Sequence, residues 1–260
     1  MFPGSLEHSV CLLGLGVART VPLAWAIPAF GGPALPAQIR IALGVGLAVL
    51  CLPALSATSL PSDAVAWTLL AAREVLVGFV MGFVCACMFR APEVAGELTD
   101  ILRGANPDGV SSPAGAGRTS PLGALMLLLA IVVFLEIGGI GHVVSALGRS
   151  YEAIPLAVAV PLGGPAHAAA FVAIVASGRL IEAAIGLAAP AVVAMLLADI
   201  LLGVIGRAVP RVPIQFGGMP LKALLGLGTV LLGLGGMDMA LQGGFRGFLE
   251  ILQAASRLGR

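Results

Sequence analysis

Residues 127–142, LLLAIVVFLEIGGIGH, indicate the class of fold: nine consecutive apolar residues precede Glu136, and three glycines and a histidine follow it. An acidic side chain at the centre of a bilayer costs a few kcal/mol, so such residues face protein or water rather than acyl chains. The stretch therefore predicts a membrane-type helix whose carboxylate meets a neighbouring polypeptide segment.

The composition of the whole chain also indicates a membrane protein. Of its 260 residues, 59% are hydrophobic and only 10% are charged, against about 25% charged residues in ordinary globular domains. The net charge of +1 provides no basic field for nucleic acid, so nucleic acid is not expected as a partner. The first eight residues, MFPGSLEH, lack the basic segment of a cleavable signal peptide, and we expect insertion through the chain's own apolar segments.

The four cysteines lie within apolar runs, at Cys11, Cys51, Cys85 and Cys87. The two-residue spacing of the last pair is not that of a zinc site or a thioredoxin-like motif. We predict that they are small buried apolar side chains.

Apolar segments separated by clusters of proline and glycine predict an all-α fold. Open sheets cannot span lipid, and these runs are longer than the strands of a membrane barrel. We expect about six to seven apolar helices and hairpins in a single domain over 1–260. The segments are 9–30, 39–57, 64–90, 121–147, 166–189, 190–206 and 220–243.

Charged residues interrupt these segments and make them poor membrane spans. A spanning helix needs about 20 mostly apolar residues, whereas the charge-free runs at 75–89, 119–135, 183–198 and 223–237 hold 15 to 17. We therefore predict helices that are solvated largely by other polypeptide. The ionisable residues concerned are Arg19, Arg73, Glu74, Glu136, Arg179, Glu182, Asp199, Lys222 and Asp238.

One helix face combines a carboxylate with small residues. Glu74, Gly78, Gly82 and Ala86 are four residues apart and share a face of a helix. Glycines at this spacing let another backbone approach closely, although glycine is also common in membrane helices in general. We predict a helix-packing seam with Glu74 at one end, and we expect the neighbouring Arg73 to point elsewhere.

Further charges lie near the end of the chain. Arg179 and Glu182 are three residues apart and can pair on their own helix. Asp199, Gly203 and Arg207 again follow the four-residue spacing. Because two helical turns separate Asp199 from Arg207, we expect each to need a partner elsewhere.

No complete catalytic, metal-binding or cofactor-binding motif occurs. The chain has no His-Glu-x-x-His sequence, and neither phosphate-binding glycine pattern is complete. The sequence GGMD at 235–238 departs from an intramembrane aspartyl-protease motif at its methionine. We therefore predict no enzymatic activity, no metal and no cofactor.

Several stretches, taken in order, resemble the FliR/SctT family of bacterial type III export apparatus proteins, and the resemblance covers nearly the whole chain. The most specific parts are Pro28 to Arg40, the Glu74-Gly78-Gly82 stripe, Gly96 with Asp100, the run from Gly138 through Ser150 to Pro155, and Asp199, Gly203, Arg207, Pro210, Pro220 and Lys222.

The resemblance implies an assembly. Members pack with FliP/SctR and FliQ/SctS subunits into a helical cone around a secretion pore in the bacterial inner membrane, with part of it projecting toward the periplasm. It also implies a FlhB/SctU-like switch protein as a partner and unfolded secreted proteins in transit. In such packing Glu136 would lie at a contact with a subunit or with the pore.

The resemblance further implies that the loop 103–121, RGANPDGVSSPAGAGRTSP, enters the lumen. Its glycines, prolines and serines predict a segment without secondary-structure demands. Flagellar members are expected to place phenylalanine here, yet no aromatic residue lies between Phe89 and Phe134. The predicted gate residues are Asn106, Pro107, Asp108, Gly109, Val110, Ser111, Ser112 and Pro113.

The spacing from Asp100 through Arg103 to Gly104 and the run from Ser150 and Tyr151 to Pro155 resemble the injectisome branch more than the flagellar branch. An ion-coupled secondary transporter is the alternative function, since intramembrane charges and broken helices also suit a transporter. No pair of halves repeats the same interrupted segment, which favours the export-gate subunit.

Overall fold

In a computed structural model of the chain, the described residues are 3–30, 35–51, 63–105, 110–111, 118–156, 163–208 and 220–231, with a few single positions beyond. They form predominantly α-helices, which confirms the predicted all-α class. The helices are α1 (Pro3–Ala26), α2 (Ala37–Leu50), α3 (Ala64–Leu102), α4 (Pro121–Glu136), α5 (Gly139–Ala153), α6 (Gly163–Ala208) and α7 (Pro220–Leu231).

One short antiparallel pair of strands departs from the helical pattern. β1 (Val110–Ser111) pairs with β2 (Arg118–Thr119), with Val110 opposite Thr119 and Ser111 opposite Arg118. The prediction that the 103–121 segment has no secondary structure is therefore wrong at these four residues.

Within the described residues, three helical stretches are long and apolar enough to cross a membrane: His8–Ala26, Ala64–Leu102 and Ala169–Ala208. The consecutive helices α4 and α5 form a fourth candidate, bent by 71° at the break between them. The helices thus reach spanning length by continuing through the charges and prolines that divide the charge-free runs. The chain is a membrane protein.

Several of the described helices continue through prolines. The predicted segments 166–189 and 190–206 form the single helix α6, which contains Pro190, and α3 contains Pro92. A proline inside a helix removes one hydrogen bond and costs about 3 kcal/mol. The separation of the two segments is wrong because membrane-type helices tolerate this loss where neighbouring groups satisfy the freed carbonyl.

The apolar stretch 127–142 is divided at its glycines. α4 ends at Glu136, and Gly138 adopts a left-handed conformation with φ 70°. The ring of Phe134 lies against Gly139, where any Cβ would overlap it. Glu136 is therefore an exposed residue at a helix end rather than in mid-segment.

The chain divides into two compact units. The first comprises Met1–Met88, Phe134–Arg179 and Phe245–Arg260, and the second comprises Phe89–Val133 and Leu180–Gly244. In the first unit α1 packs on α2 at Gly44, whose carbonyl oxygen accepts a 2.8 Å hydrogen bond from the Thr20 hydroxyl. The largest fully buried apolar side chains are Leu15, Leu23, Ile27, Phe134, Leu147 and Leu156 in the first unit and Phe89, Met126, Leu127 and Met195 in the second.

The cysteines are free thiols. Cys51, Cys85 and Cys87 are buried and Cys11 is half-buried. Their surroundings agree with the prediction that they serve as small apolar side chains.

Candidate functional site

Two arginines and a glutamate form a buried charge cluster in the first unit. Glu74 on α3 accepts a 2.6 Å hydrogen bond at Oε2 from Arg19 Nε on α1. Its other oxygen, Oε1, accepts from Arg73 Nη2 at 2.7 Å and from Arg73 Nε at 3.2 Å. Arg19 and Glu74 are fully buried and Arg73 is 4% exposed. The expectation that Arg73 points away from Glu74 is wrong, because both guanidinium groups need the one carboxylate.

The same guanidinium groups hold the end of α5. Arg19 Nη1 donates to Ser150 Oγ at 3.1 Å, and Arg19 Nη2 donates to the carbonyl oxygen of Ile154 at 2.9 Å. Arg73 Nη2 donates to the carbonyl oxygens of Pro155 and Leu156 at 2.8 and 3.2 Å. The charge cluster therefore fastens α1, α3 and the segment after α5.

Tyr151 completes the surroundings of Arg19. The Arg19 guanidinium carbon lies 4.3 Å from the centre of the Tyr151 ring, a cation–π distance. The Tyr151 hydroxyl donates to the carbonyl oxygen of Gly16 at 3.2 Å, which ties α5 to α1 a second time.

The charge cluster carries two positive charges and one negative side chain. The carbonyl oxygens of the residues that follow α5 offset part of the excess, and the nearby helix C-terminus carries roughly half a negative charge. Buried charges are tolerated only when they are paired and hydrogen-bonded. The contacts described here meet that requirement for Arg19, Arg73 and Glu74 without a lipid or solvent partner.

The helix-packing seam brings α1 to this position. A Cβ on Gly78 would overlap the carbonyl oxygen of Arg19, and one on Gly82 would stand 2.8 Å from the Ala26 Cβ and 3.1 Å from the Pro22 carbonyl oxygen. The two glycines thus admit the α1 backbone along the face that carries Glu74, as expected from their four-residue spacing.

A second group of polar side chains, the loop base, lies in the second unit at the two ends of the 103–121 segment. Asp100 near the end of α3 is fully buried. Its Oδ2 accepts a 2.8 Å hydrogen bond from the backbone N–H of Leu122 in the first turn of α4, and its Oδ1 accepts from Arg103 Nε. Asp100 therefore caps a helix other than its own, where a carboxylate also complements the positive helix end.

Glu97, one turn before Asp100, completes the loop base. The Thr119 hydroxyl donates to Glu97 Oε1 at 2.6 Å. A Cβ on Gly96 would stand 2.5 Å from the Leu122 carbonyl oxygen, so the glycine lets α3 and α4 approach closely. Ser120 caps α4 by accepting from the Gly123 N–H at 3.0 Å.

The predicted gate residues are only partly visible. For Val110 and Ser111 the structure gives the backbone of β1. The other gate residues lie outside the described residues, at Asn106, Pro107, Asp108, Gly109, Ser112 and Pro113.

The predicted polar residues of α6 are exposed in the isolated chain. Asp199 forms an ion pair with Lys222 of α7, in which the side chains are 49% and 21% exposed. The expectation that Asp199 needs a partner outside its own helix is met within this chain. Arg179, Glu182, Gly203 and Arg207 are exposed, and the pairing of Arg179 with Glu182 stays a prediction.

Reasoning from the sequence singled out Glu74 but missed its partners as a group. Arg19 is 55 residues away and Ser150 is 131 residues from Arg19, so no local spacing joins them. One available signal was an arginine within the apolar stretch of each helix, Arg19 in α1 and Arg73 in α3, with Glu74 directly after Arg73. Among the described residues, no three His, Cys, Asp or Glu side chains are grouped as metal ligands would be.

Comparison with known proteins assigns this fold to a family. The family model for bacterial export proteins, family 1, matches residues 10–248. The chain belongs to this family. The match confirms the resemblance that the motifs indicate, and it includes the charge cluster, the seam and the loop base.

Relatives of this family 1 export protein come from flagellar and from secretion systems. It is 26% identical over 244 residues to the flagellar biosynthetic protein FliR of Caulobacter vibrioides, covering 93% of this chain and 96% of the relative. It is 33% identical over 172 residues to the secretion system apparatus protein SsaT of Salmonella typhimurium, covering 64% and 63%. With FliR of Bacillus subtilis it shares 29% identity over 197 residues, 75% of each chain.

Proposed function

We propose that this protein is a non-enzymatic core subunit of a type III protein export gate, helping to form the secretion pore for injectisome or flagellar substrates. The family match over 10–248, together with relatives from both kinds of system, carries the proposal. The gate lies in the bacterial inner membrane, with part of it projecting toward the periplasm, and the chain acts in it as one domain.

The surface of α6 supports a role inside an assembly. Only 22% of its most apolar 18-residue stretch is buried within the chain. Large apolar side chains such as Phe171, Ile174 and Leu201 are more than half exposed. The same helix exposes Asp199 and Arg207. Lipid would solvate the apolar side chains but not the charges, whereas neighbouring protein can accommodate both.

The proposed partners are FliP/SctR-like and FliQ/SctS-like subunits and a FlhB/SctU-like switch protein. Unfolded secreted proteins pass through the assembled pore. The exposed polar residues Glu136, Arg179 and Glu182 are proposed to meet these subunits or the pore.

Co-expression tests the function directly. The tagged chain should co-purify in detergent with its FliP-like and FliQ-like partners, and it should restore protein secretion to a strain that lacks its own gene. The chain alone in proteoliposomes should transport no ion or small solute. Coupled transport by the chain alone, with no co-purification, would support the transporter instead.

The 103–121 segment is proposed to enter the lumen and close the pore at rest. Deleting residues 109–117 should raise ion leak through the assembled complex, because the deletion removes β1 and all the residues between β1 and β2. An unchanged conductance in a complex that still assembles would refute the closing role.

A further inference from the structure

We propose that Arg40 and Trp25 form a binding site for the phosphate group of an anionic phospholipid, whose acyl chain lies along α2. The site belongs to the first unit, where the end of α1 contacts the beginning of α2. It requires that the chain is a membrane protein, and it is independent of the proposed place in an export gate.

α1 and α2 pack as an antiparallel pair, and Trp25 and Arg40 lie at its connecting end. A Cβ on Gly44 would stand 2.7 Å from the side chain of Val21, and the Arg40 guanidinium lies over the Trp25 ring. Four residues forward on α1 thus correspond to four residues back on α2. Trp25 is in the last turn of the candidate span His8–Ala26, and tryptophan side chains concentrate at the ends of spans, in the membrane–water interface.

The Arg40 guanidinium is held in place but retains free donors. Its Cζ lies 4.3 Å from the centre of the Trp25 ring, and its Nε donates to the carbonyl oxygen of Leu35 at 3.2 Å. Within the part of the chain that the structure describes, its two Nη atoms meet no acceptor. A guanidinium presents these atoms as a planar fork that matches two oxygens of a phosphate group. Because the ring and the carbonyl oxygen already orient the fork, little side-chain freedom is lost when phosphate binds.

The charge balance around the site favours an anion. Residues 8–62 contain two arginines and no Asp or Glu. Arg19 is paired with Glu74, so Arg40 carries the remaining positive charge of this stretch. A phospholipid with a net negative charge supplies the counter-charge at the membrane surface.

An exposed apolar stripe continues from Arg40 along α2 and favours a lipid over a free phosphate. Ile39, Leu43, Gly46 and Leu50 follow helical spacing on one face, and the three large side chains among them are each more than a third exposed. At about 1.5 Å per residue, the stripe from Ile39 to Leu50 extends roughly 16 Å. Half of a hydrocarbon core of about 30 Å is about 15 Å. An acyl chain of one leaflet therefore fits the stripe when its phosphate is at Arg40.

Lipid binding to the full chain tests the site. Phosphatidylglycerol is titrated into the detergent-purified protein, and bound lipid is measured by native mass spectrometry. Arg40→Gln removes the charged fork, whereas Arg40→Lys keeps the charge without the fork. Arg149→Gln is the matched control, because Arg149 is an exposed arginine on α5 of the same unit and its replacement changes the net charge equally.

We expect the wild type and Arg149→Gln to bind phosphatidylglycerol with equal affinity, and Arg40→Gln to bind it about tenfold more weakly. A tenfold loss corresponds to about 1.4 kcal/mol. Arg40→Lys should also bind more weakly than the wild type, because an ammonium group cannot engage two phosphate oxygens as a planar fork does. Leu43→Gln leaves Arg40 intact and should weaken binding, because a polar side chain then meets the acyl chain. Excess inorganic phosphate should not displace the lipid.

The opposite results overturn the inference. Equal affinities of Arg40→Gln and Arg149→Gln would show that any bound lipid is held by general charge or at another place. Displacement by inorganic phosphate would make a free anion the ligand. If neither Arg40→Gln nor Arg40→Lys accumulated in membranes, Arg40 would be a structural residue, and unchanged binding by Leu43→Gln would remove the acyl chain from α2.

Discussion

Replacing Glu74 by glutamine tests whether the charge cluster holds the first unit together. The substitution keeps the shape of the side chain but removes its charge and turns one acceptor into a donor. Arg19 Nε now lies 2.6 Å from one carboxylate oxygen and Arg73 Nη2 lies 2.7 Å from the other. In the variant, one of these guanidinium groups faces an NH₂ group, and the two buried cations lose the carboxylate that they share.

The expected loss of stability is large. Removing one partner of a buried ion pair costs about 3–5 kcal/mol, because the remaining charge is left uncompensated. For chains of this size each kcal/mol shifts the Tm by about 2–4 °C, so we expect a decrease of roughly 6–20 °C. The carbonyl oxygens that follow α5 cannot replace the carboxylate, since they already accept from both arginines.

Thermal unfolding of the detergent-purified chain measures the effect, with the level of protein in the membrane as a second readout. Glu152→Gln is the matched control because Glu152 is an exposed glutamate on α5 of the same unit, and surface changes of this kind alter stability by about 0.5 kcal/mol or less. A Tm for Glu74→Gln within 2 °C of the control, on the same scaling, would refute the reasoning that this carboxylate neutralises two buried arginines.

Three further predictions concern the seam and the exposed charges. Gly78→Val should prevent α1 from packing on α3 and abolish accumulation of the chain, whereas the control Gly46→Val, at a position with open space around its Cβ, should not. Pulse-chase labelling of membranes measures the half-lives of the two variants, and equal half-lives would contradict the helix-packing seam. Asp199→Asn should lower the free energy of unfolding of the isolated chain by less than about 1 kcal/mol, because the ion pair of Asp199 with Lys222 is partly exposed and such pairs are weak. A denaturant titration measures this change, and a larger loss would mean that the pair is effectively buried. Glu136→Leu should leave the isolated chain stable but reduce secretion and co-purification of partners, and wild-type secretion would show that its carboxylate makes no important contact.

Periodic features of the sequence predicted local structure well. The four-residue spacing of Glu74, Gly78 and Gly82 placed them on one helix face, and the structure puts the α1 backbone against that face. Spacing has this power because residues four apart are neighbours in any helix, whatever surrounds it.

Tertiary partners could not be predicted in the same way. Glu74 is joined to Arg19 and, through it, to Ser150, and these positions are separated by more than 50 residues. Proline misled for a related reason: Pro190 carries a strong local signal for a helix end, but α6 continues because apolar sequence on both sides favours helix. The pairing of Val110–Ser111 with Arg118–Thr119 was not predicted because two-residue strands have no periodicity to detect.

The distance along the chain between Arg19 and its carboxylate has a consequence for biosynthesis. Glu74 is made 55 residues after Arg19, a delay of roughly 3–11 s at translation rates of about 5–20 residues per second, and Ser150 is made 131 residues after it. During that interval a helix with an arginine in its apolar stretch leaves the ribosome without its anion. The insertion machinery must therefore shelter an unneutralised cation until the third helix arrives, so α1 takes its final place only after α3 has been synthesised.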